Sequence, residues 1–529
     1  MAEDERKGRA EEDWRPEVKE LHRREALAAR MGGDDRIAKQ HDAGRLTVRE
    51  RIDRLLDKGT FHETGAVVGV PSYDGDRLTA LRASNFILGT GRIRGRRVVV
   101  GADDFTIRGG ASDAAIGRKA PYAEKMALEL RMPMVRLVDG TGGGGSVKQL
   151  EVMGWTYVPA NPGMDTMVAL LETVPVASGA MGPVAGLGAA RVVFSHFSVM
   201  PRKTAQVFVA GPPVVEPATG SKVDKEELGG SHIHARGSGA VDNEAESEDD
   251  AFEQIRRFLS YMPDSVYEIP PVIEVIDPSD RCEDELARII PRNRRKPYAV
   301  RRIIELVLDR GSFFEIGPKH GRSVVTGLAR LTGRPVGVMA NDPMHLAGAV
   351  DGRAAEKMIR FIDMCDTFHI PVVYFVDNPG FLIGLEAERQ GTIRVGGRWI
   401  YAVYQATVPW CSVILRKVFG VAGAAHGNHS RLNLRYAWPS GEWGSLPIEG
   451  GVMAAYKRQI EAAEDPDVLR EQIEKRLRAV TSPFRTAEHF GIEEIIDPRE
   501  TRPLLCEWIE AAYRLLPSEL GVKRRGMRP

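Results

Sequence analysis

The chain has 529 residues, with 73 basic and 73 acidic side chains, 43% hydrophobic and 7% aromatic content. Balanced charge and few aromatic residues argue against nucleic acid or a membrane as partner, and the length suffices for more than one core. Cys282, Cys365, Cys411 and Cys506 are scattered, form no C-x-x-C pair, and read as packing residues of a reducing interior.

In chain order, residues 1–30 form a charged arm with no apolar segment of the kind a signal peptide or anchor needs, so a cytoplasmic location is expected. Residues 95–142 lie without gaps on 333–380 at a constant offset of 238, and 16 positions are identical. The shared residues include Asp104 with Asp342, Lys119 with Lys357, Pro133 with Pro371 and Asp139 with Asp377. Each segment predicts a short apolar strand, a loop with Asp and Gly-Ala, a long helix, Pro, and a buried strand ending in a glycine turn. A strand, helix, strand unit implies a parallel sheet. The fold class is therefore α/β, as two tandem copies of one domain related by internal duplication: 31–280 and 281–529 after the arm. The Pro-rich, charge-rich stretch 262–300 reads as the connection between them.

After the first buried strand comes "DGTGGGGS", with four consecutive glycines, Gly142, Gly143, Gly144 and Gly145. Gly140, Gly142 and Gly145 satisfy G-x-G-x-x-G, yet the turn follows the second strand of its unit rather than the first. Its counterpart "NPGFLIG" (378–384) lacks the pattern, which argues against a dinucleotide site. Ser146 and Val147 follow Gly145 with no lysine, which argues against a phosphate loop. The uncharged stretch Thr173 to Ala190 is Gly, Ala and Pro rather than Leu and Ile, so it reads as close-packed backbone rather than a membrane span.

A second glycine turn occurs in each copy, "GPVAGLGAA" (182–190) and "VFGVAGAAHG" (418–427). Small residues let backbone N–H groups approach a ligand oxygen, and a helix beginning there adds its positive dipole end. That is the geometry of an oxyanion hole, which stabilises an enolate or tetrahedral oxyanion without a charged side chain. No metalloprotease or nucleophile-elbow motif occurs; His232-x-His234 and His426-x-x-His429 lack further ligands, so loop or surface roles and no metal are expected there.

Ordered blocks along nearly the whole chain resemble the β (carboxyltransferase) subunits of biotin-dependent acyl-CoA carboxylases acting on propionyl-CoA or methylcrotonyl-CoA. They include "KQHDAGRLTVRERIDRLLDKGTF", "DFTIRGGA", "KVDKEELGGSHIHARGSGAVD", "RRIIELVLDRGSFFEI" and the second repeat with "NPGFLIG". The resemblance implies two tandem crotonase-like (ClpP/crotonase) domains, the first on the acyl-CoA side and the second on the biotin side. It implies a dimer-built homo-oligomer, often a hexamer, in which one subunit's first half faces another's second half. CO2 would pass from carboxybiotin to the α (or vinylogous) carbon of an acyl-CoA through an enolate held by backbone oxyanion holes.

By the same resemblance, the N–H groups near Gly186 and Leu187 stabilise the acyl-CoA enolate, and those of Val421 and Ala422 the ureido oxygen of biotin. Gly142 to Gly145 wall the acyl-CoA site, while Asn378, Pro379, Gly380, Phe381, Gly423 and Ala424 line the biotin side and acyl pocket. Lys39, Arg45 and Arg49 are candidates for the CoA phosphates, against the plainer reading of a solvated helix face. The chain lacks a biotinylation sequence and an ATP loop, so biotin is expected on a separate carrier with its own biotin carboxylase subunit.

Relatives acting on short acyl chains carry Gly-Gly in both turns and a Tyr-Asp pair after the second. Here Leu187 follows Gly186, Val421 follows Gly420, and Gly423-Ala424 replace the pair, so an unusual acyl group is expected. Three other functions compete: a decarboxylase running the same site in reverse, a crotonase-like hydratase, isomerase or thioesterase without biotin, and a non-catalytic scaffold subunit.

Overall fold

The computed structural model describes all residues except 1–12, 112–115, 142–150, 152, 157, 159–162, 429–430 and 525. The chain divides into two compact units, 1–234 with 244–256, and 235–243 with 257–529. The division falls before residue 280, and the reason lies in the stretch expected to connect the domains. It is packed on the second unit: Ile273 N–H donates to the Gly333 carbonyl at 3.1 Å, and the Arg281 guanidinium donates to the carbonyls of Leu306 (2.6 Å) and Leu308 (2.9 Å). The described part of the charged arm likewise belongs to the first unit, where helix α1 (Arg15–Ala28) places Arg23 against the Leu78 carbonyl.

Among the described residues ten strands follow in the first unit: β1 (His62–Glu63), β2 (Gly69–Asp74), β3 (Arg77–Ala83), β4 (Phe86–Ile93), β5 (Arg96–Asp103), β6 (Met134–Gly140), β7 (Val176–Ala185), β8 (Phe197–Pro201), β9 (Gln206–Phe208) and β10 (Asn243–Ala245). The sheet runs β1-β4-β5-β6-β7-β8-β10, with β9 also on β7; β2 and β3 make a separate hairpin. β1, β4 and β5 are antiparallel neighbours, and from β5 to β8 the pairs are parallel. Every residue of β6 is buried, which is why its sequence shows an unbroken run rather than alternation.

The second unit repeats this plan with β11 (Phe314–Glu315), β12 (Val324–Leu331), β13 (Arg334–Asn341), β14 (Val372–Asn378), β15 (Trp410–Phe419), β16 (Leu434–Ala437), β17 (Glu442–Gly444) and β18 (Glu494–Ile495). Their order is β11-β12-β13-β14-β15-β16-β18 with β17 on β15. Register is duplicated as well as order. Val99 pairs with Met134 in one sheet and Gly337 with Val372 in the other, and the ladders slip at matching places, Val138/Gly140 and Val376/Asn378. The β2–β3 hairpin is an insertion of the first copy, since β11 reaches β12 with no strand between.

Each sheet is covered by helices on a continuous apolar core. In the first unit helix α2 (Ile116–Glu129) contributes Ala123 and Ala127 beside Phe86, Val99 and Met134. In the second, helix α3 (Val300–Val307) and helix α4 (Thr501–Leu515) close over Val338, Phe375 and Val413. Cys365, Cys411 and Cys506 are buried, their thiols pushed up by burial, whereas Cys282 is exposed. No helix among the described residues is long and apolar enough to cross a membrane.

Candidate active site

Each copy follows its central strand with a glycine of left-handed φ and starts a short helix there. β7 ends just before Gly186, with φ 59° and ψ −123°, and the helix Leu187–Val193 follows. β15 ends before Gly420, with φ 62°, and the helix Gly420–Ala424 follows. A side chain at either glycine is disfavoured by its backbone angle, so the residue type sets the reversal that aims the helix start outward.

The first turn is wedged against the end of β6. A Cβ on Gly188 would lie 2.6 Å from the Gly140 carbonyl oxygen, and the Gly188 N–H donates to the Thr141 carbonyl at 2.8 Å. Gly140 itself has φ 110°, and a Cβ there would meet the Gly109 carbonyl at 2.6 Å. This explains why glycines accumulate just before Gly142 to Gly145, which lie outside the described residues. The Gly186 N–H donates to the Phe208 carbonyl at 3.3 Å and is used within the fold. Of the two groups named there, the Leu187 N–H remains, at a helical position with no intrahelical acceptor.

The second turn is built from the side chains that sequence reasoning grouped with it. Asn378 Nδ2 donates to the Ala422 carbonyl at 3.0 Å, and its Oδ1 accepts from the Gly380 N–H at 2.9 Å. Gly380 in turn accepts from the Val350 N–H at 3.1 Å. Phe381 stands edge-on to Trp399, 6.0 Å between ring centroids. Val421 is 67% exposed while Ala422 is fully buried, so the helix presents its first residues outward. A Cβ on Gly423 would lie 2.8 Å from the Val418 carbonyl carbon, so the turn folds back tightly on its own strand. Ala424 is exposed and Pro379 partly so.

His426 is buried rather than at the surface, with its Nδ1 2.7 Å from the Gly423 carbonyl. It is a support of the turn that sequence reasoning missed, because a histidine three residues past a glycine carries no pattern of its own. His234 is partly buried, which pulls its imidazole below the ordinary value, and His429 lies outside the described residues. No cluster of three metal-ligating side chains occurs among the described residues.

Electrostatics near the turns is internal. Asp139, in β6, is fully buried and paired with Arg51 at 2.7 Å and Arg45 at 3.6 Å. Asp377, in β14, is fully buried and held by Arg416 at 2.9 Å and the Tyr298 hydroxyl at 2.9 Å. Neither carboxylate is presented as a general acid or base. Burial draws the Arg45 guanidinium below the ordinary arginine range, and it stacks over Phe105 at 4.6 Å. Arg45 is therefore an interior group rather than a displayed cation. Arg49 pairs with Glu63 at 2.9 Å, and Lys39 is exposed. What the turns offer a ligand is backbone dipole.

The model of the carboxyl transferase domain matches residues 39–527. The chain belongs to the carboxyl transferase family. The carboxyltransferase subunit of propionyl-CoA carboxylase from Haloferax mediterranei is 37% identical over 95% of this chain and 96% of its own. The α subunit of methylmalonyl-CoA decarboxylase from Veillonella parvula is 32% identical over 91% of this chain and 93% of its own. Among solved structures, transcarboxylase 12S, a hexamer with methylmalonyl-CoA and methylmalonic acid bound, superposes with TM-score 0.84 at 31% identity over 97% of both chains. The carboxyltransferase is thus a pair of tandem crotonase-like domains, as the duplicated sheet registers require.

Proposed function

We propose that this carboxyltransferase is the subunit of a biotin-dependent acyl-CoA carboxylase that moves CO2 onto an acyl-CoA, the first unit taking the acyl-CoA and the second the biotin. The observation that carries this reading is the recurrence, at the end of the same strand in both copies, of a glycine-started helix whose first N–H groups lack intrahelical acceptors. Carboxylation at an α carbon develops charge on the thioester oxygen, and preorganised N–H donors stabilise it at the moment it forms. The Leu187 N–H is the donor for that oxygen.

The Gly420 turn fits a neutral urea-type acceptor. Val421 and Ala422 supply N–H groups, the neighbouring carbonyls of Ala422 and Gly423 are occupied by Asn378 and His426, and Asp377 is neutralised by Arg416. Val421 and Ala422 would hold the ureido oxygen, with Pro379 to Phe381 as a wall. When bound, carboxybiotin from a separate carrier subunit supplies the CO2 and a basic ureido nitrogen. The likeness to transcarboxylase 12S supports a dimer-built hexamer in which each turn works with its counterpart on a neighbouring subunit.

Leu187, Val421 and Ala424 support an acyl group other than propionyl, since they reshape both turns without removing an N–H. The Veillonella relative favours a second reading, the same site used for decarboxylation. Both are tested by incubating the purified protein with carboxylated acyl-CoAs, malonyl and methylmalonyl included, with and without free biotin. Biotin-dependent loss of a carboxyl group is the expected result. No turnover of any member, with CoA still bound, would leave the scaffold role in its place.

A further inference from the structure

We infer that Arg191 and Asp103 are the positioning residues of the turn that offers the Leu187 N–H, doing there with a buried ion pair what Asn378 does at the Gly420 turn. The inference rests on the reading of the first unit as the acyl-CoA side.

The duplication carries the comparison. At the offset of 238, Gly140 stands where Asn378 stands, and the ladders agree, Gly140 pairing with Val184 and Asn378 with Val418. In the second unit Asn378 ties the end of β14 to the helix after Gly420 through the Ala422 carbonyl, at 3.0 Å. Gly140 has no side chain with which to make that tie. The first unit makes another. Arg191, in the helix Leu187–Val193, donates from Nη1 to both oxygens of Asp103, at 2.9 and 3.1 Å. Asp103 Oδ2 also accepts the Asp139 N–H at 3.1 Å. One carboxylate therefore holds both the helix and the residue before Gly140, against which Gly188 is wedged.

The second unit keeps only half of this arrangement. Asn341, at the position of Asp103, accepts the Asp377 N–H through Oδ1 at 3.3 Å, but its Nδ2 goes to the Gly348 carbonyl at 3.0 Å. With Gly186 laid on Gly420, the position of Arg191 holds Ala425. Arg136 steadies the far end of the first unit's helix. Its fork is held by Glu124 at 2.8 and 2.6 Å, and its Nη1 donates to the carbonyls of Arg191 (3.2 Å) and Phe194. Tyr374 and Ile362 stand at the positions of Arg136 and Glu124, so these charges belong to the first copy alone.

Stability does not account for the Arg191 pair. Both side chains are buried, and Arg191 Nε and Nη2 have no hydrogen-bond partner among the described residues, the guanidinium lying over the Phe86 ring at 5.1 Å. A buried pair can often be replaced by uncharged groups without loss of stability. What the pair does supply is a fixed distance between helix and strand end, and a donor aimed at a developing oxyanion depends steeply on such a distance.

The test is the double variant Asp103→Asn/Arg191→Met, which installs the asparagine of the second copy and removes the guanidinium. Its melting temperature is expected to match or exceed that of the parent. Its kcat on a carboxylated acyl-CoA with free biotin is expected to fall at least about tenfold, with KM within about twofold of the parent. Arg191→Lys is expected to keep kcat within about threefold, because a single nitrogen serves both Asp103 oxygens. Hydrogen exchange followed by mass spectrometry is expected to be faster over 186–194 in the double variant and unchanged over 418–427. A purely structural pair would lower the melting temperature and leave kcat per folded molecule at the parent value, which overturns the inference, as does unchanged exchange over 186–194. Should the double variant not fold, Asp103→Asn alone is expected to lower kcat at least about threefold, its neutral oxygen holding Arg191 more weakly; parent-level turnover there overturns the inference as well. A parent without biotin-dependent turnover would count against the proposed function alone, since the exchange comparison needs no turnover.

Discussion

Asn378 is tied to the Ala422 carbonyl through its Nδ2 at 3.0 Å, and its Oδ1 binds the Gly380 N–H at 2.9 Å, so one side chain sets the distance between the end of β14 and the Gly420 turn. Replacing it by alanine leaves the Gly380 N–H without its acceptor and the buried Ala422 carbonyl with only the Ala425 N–H at 3.2 Å, at a cost of about 1–3 kcal/mol. Turnover of Asn378→Ala is expected to fall at least about tenfold, because the turn loses its aim, while KM for the acyl-CoA stays near that of the parent. Steady-state kinetics beside a melting curve checks this. A drop confined to KM would place Asn378 on the acyl-CoA side instead.

Three glycines separate steric need from backbone need. Gly423→Ala would put a Cβ 2.8 Å from the Val418 backbone carbon, which cannot swing away, and is expected to cost about 1–3 kcal/mol. Gly186→Ala meets no atom within 4 Å, yet φ 59° and ψ −123° strain an L residue by about 1–3 kcal/mol. Gly397, inside the helix Thr392–Gln405 with open space at its Cβ, is the control: Gly397→Ala is expected to gain about 0.5–1 kcal/mol. Urea denaturation of the three variants gives the order.

The duplication was readable because a parallel ladder fixes register, and register preserves spacing. The offset between the repeats in the sequence is the offset between Val99 and Gly337 in the ladders. The helix-starting turns were readable for a similar reason, since Gly186 and Gly420 need a backbone angle that few residues adopt. What composition hid was the destination of basic side chains. Gly140 pairs with Val184, and Asn378 with Val418, which puts Gly182 and Arg416 at the same point of the two folds. In the second copy the arginine on the strand covers Asp377. In the first, a Cβ on Gly182 would crowd the Arg45 guanidinium at 2.7 Å, so Arg45 reaches in from outside the sheet to cover Asp139. An exposed-looking basic run therefore held a largely buried residue. The segment 262–300 misled in the same direction, because prolines that suggest a linker can equally fix an extended strap.

Arg51 anchors the first unit by pairing with Asp139 at 2.7 Å and Glu248 at 2.6 Å, all three buried. Arg51→Met leaves buried Glu248 without its cation and Asp139 with only the more distant Arg45 at 3.6 Å, and is expected to destabilise by about 3–5 kcal/mol. Arg54, one turn on, pairs with Asp249 at the surface, where both side chains are about half exposed or more. Arg54→Met is expected to change stability by about 0–1 kcal/mol. Denaturant midpoints of the two variants, read against the parent, measure the contrast. Equal shifts would mean that Asp139 and Glu248 find other partners.

Lys357 and Lys119 occupy one position of the duplicated fold, and each spends its amine on backbone carbonyls rather than a carboxylate. Lys357 Nζ donates to Gly317 at 3.1 Å and His320 at 2.7 Å, and Lys119 Nζ to Gly65 at 3.2 Å. Two acceptors need only two N–H groups, which a neutral amine has. Burial lowers Lys357 from 10.5 to about 7 and Lys119 to about 8. Unfolded lysine keeps its proton up to about pH 10.4. Between about pH 7 and that value the unfolded chain therefore binds more protons than the folded one at Lys357, and stability rises with pH there. Below about pH 7 both states are protonated and the destabilisation is complete. Lys357→Met removes the two hydrogen bonds together with the buried charge, and is expected to flatten the rise above pH 7. Lys119→Met is expected to flatten it over the narrower window above about pH 8. Urea unfolding at pH 7, 8.5 and 10 supplies the slopes, and an unchanged slope in Lys357→Met would mean that the folded protein keeps that amine charged.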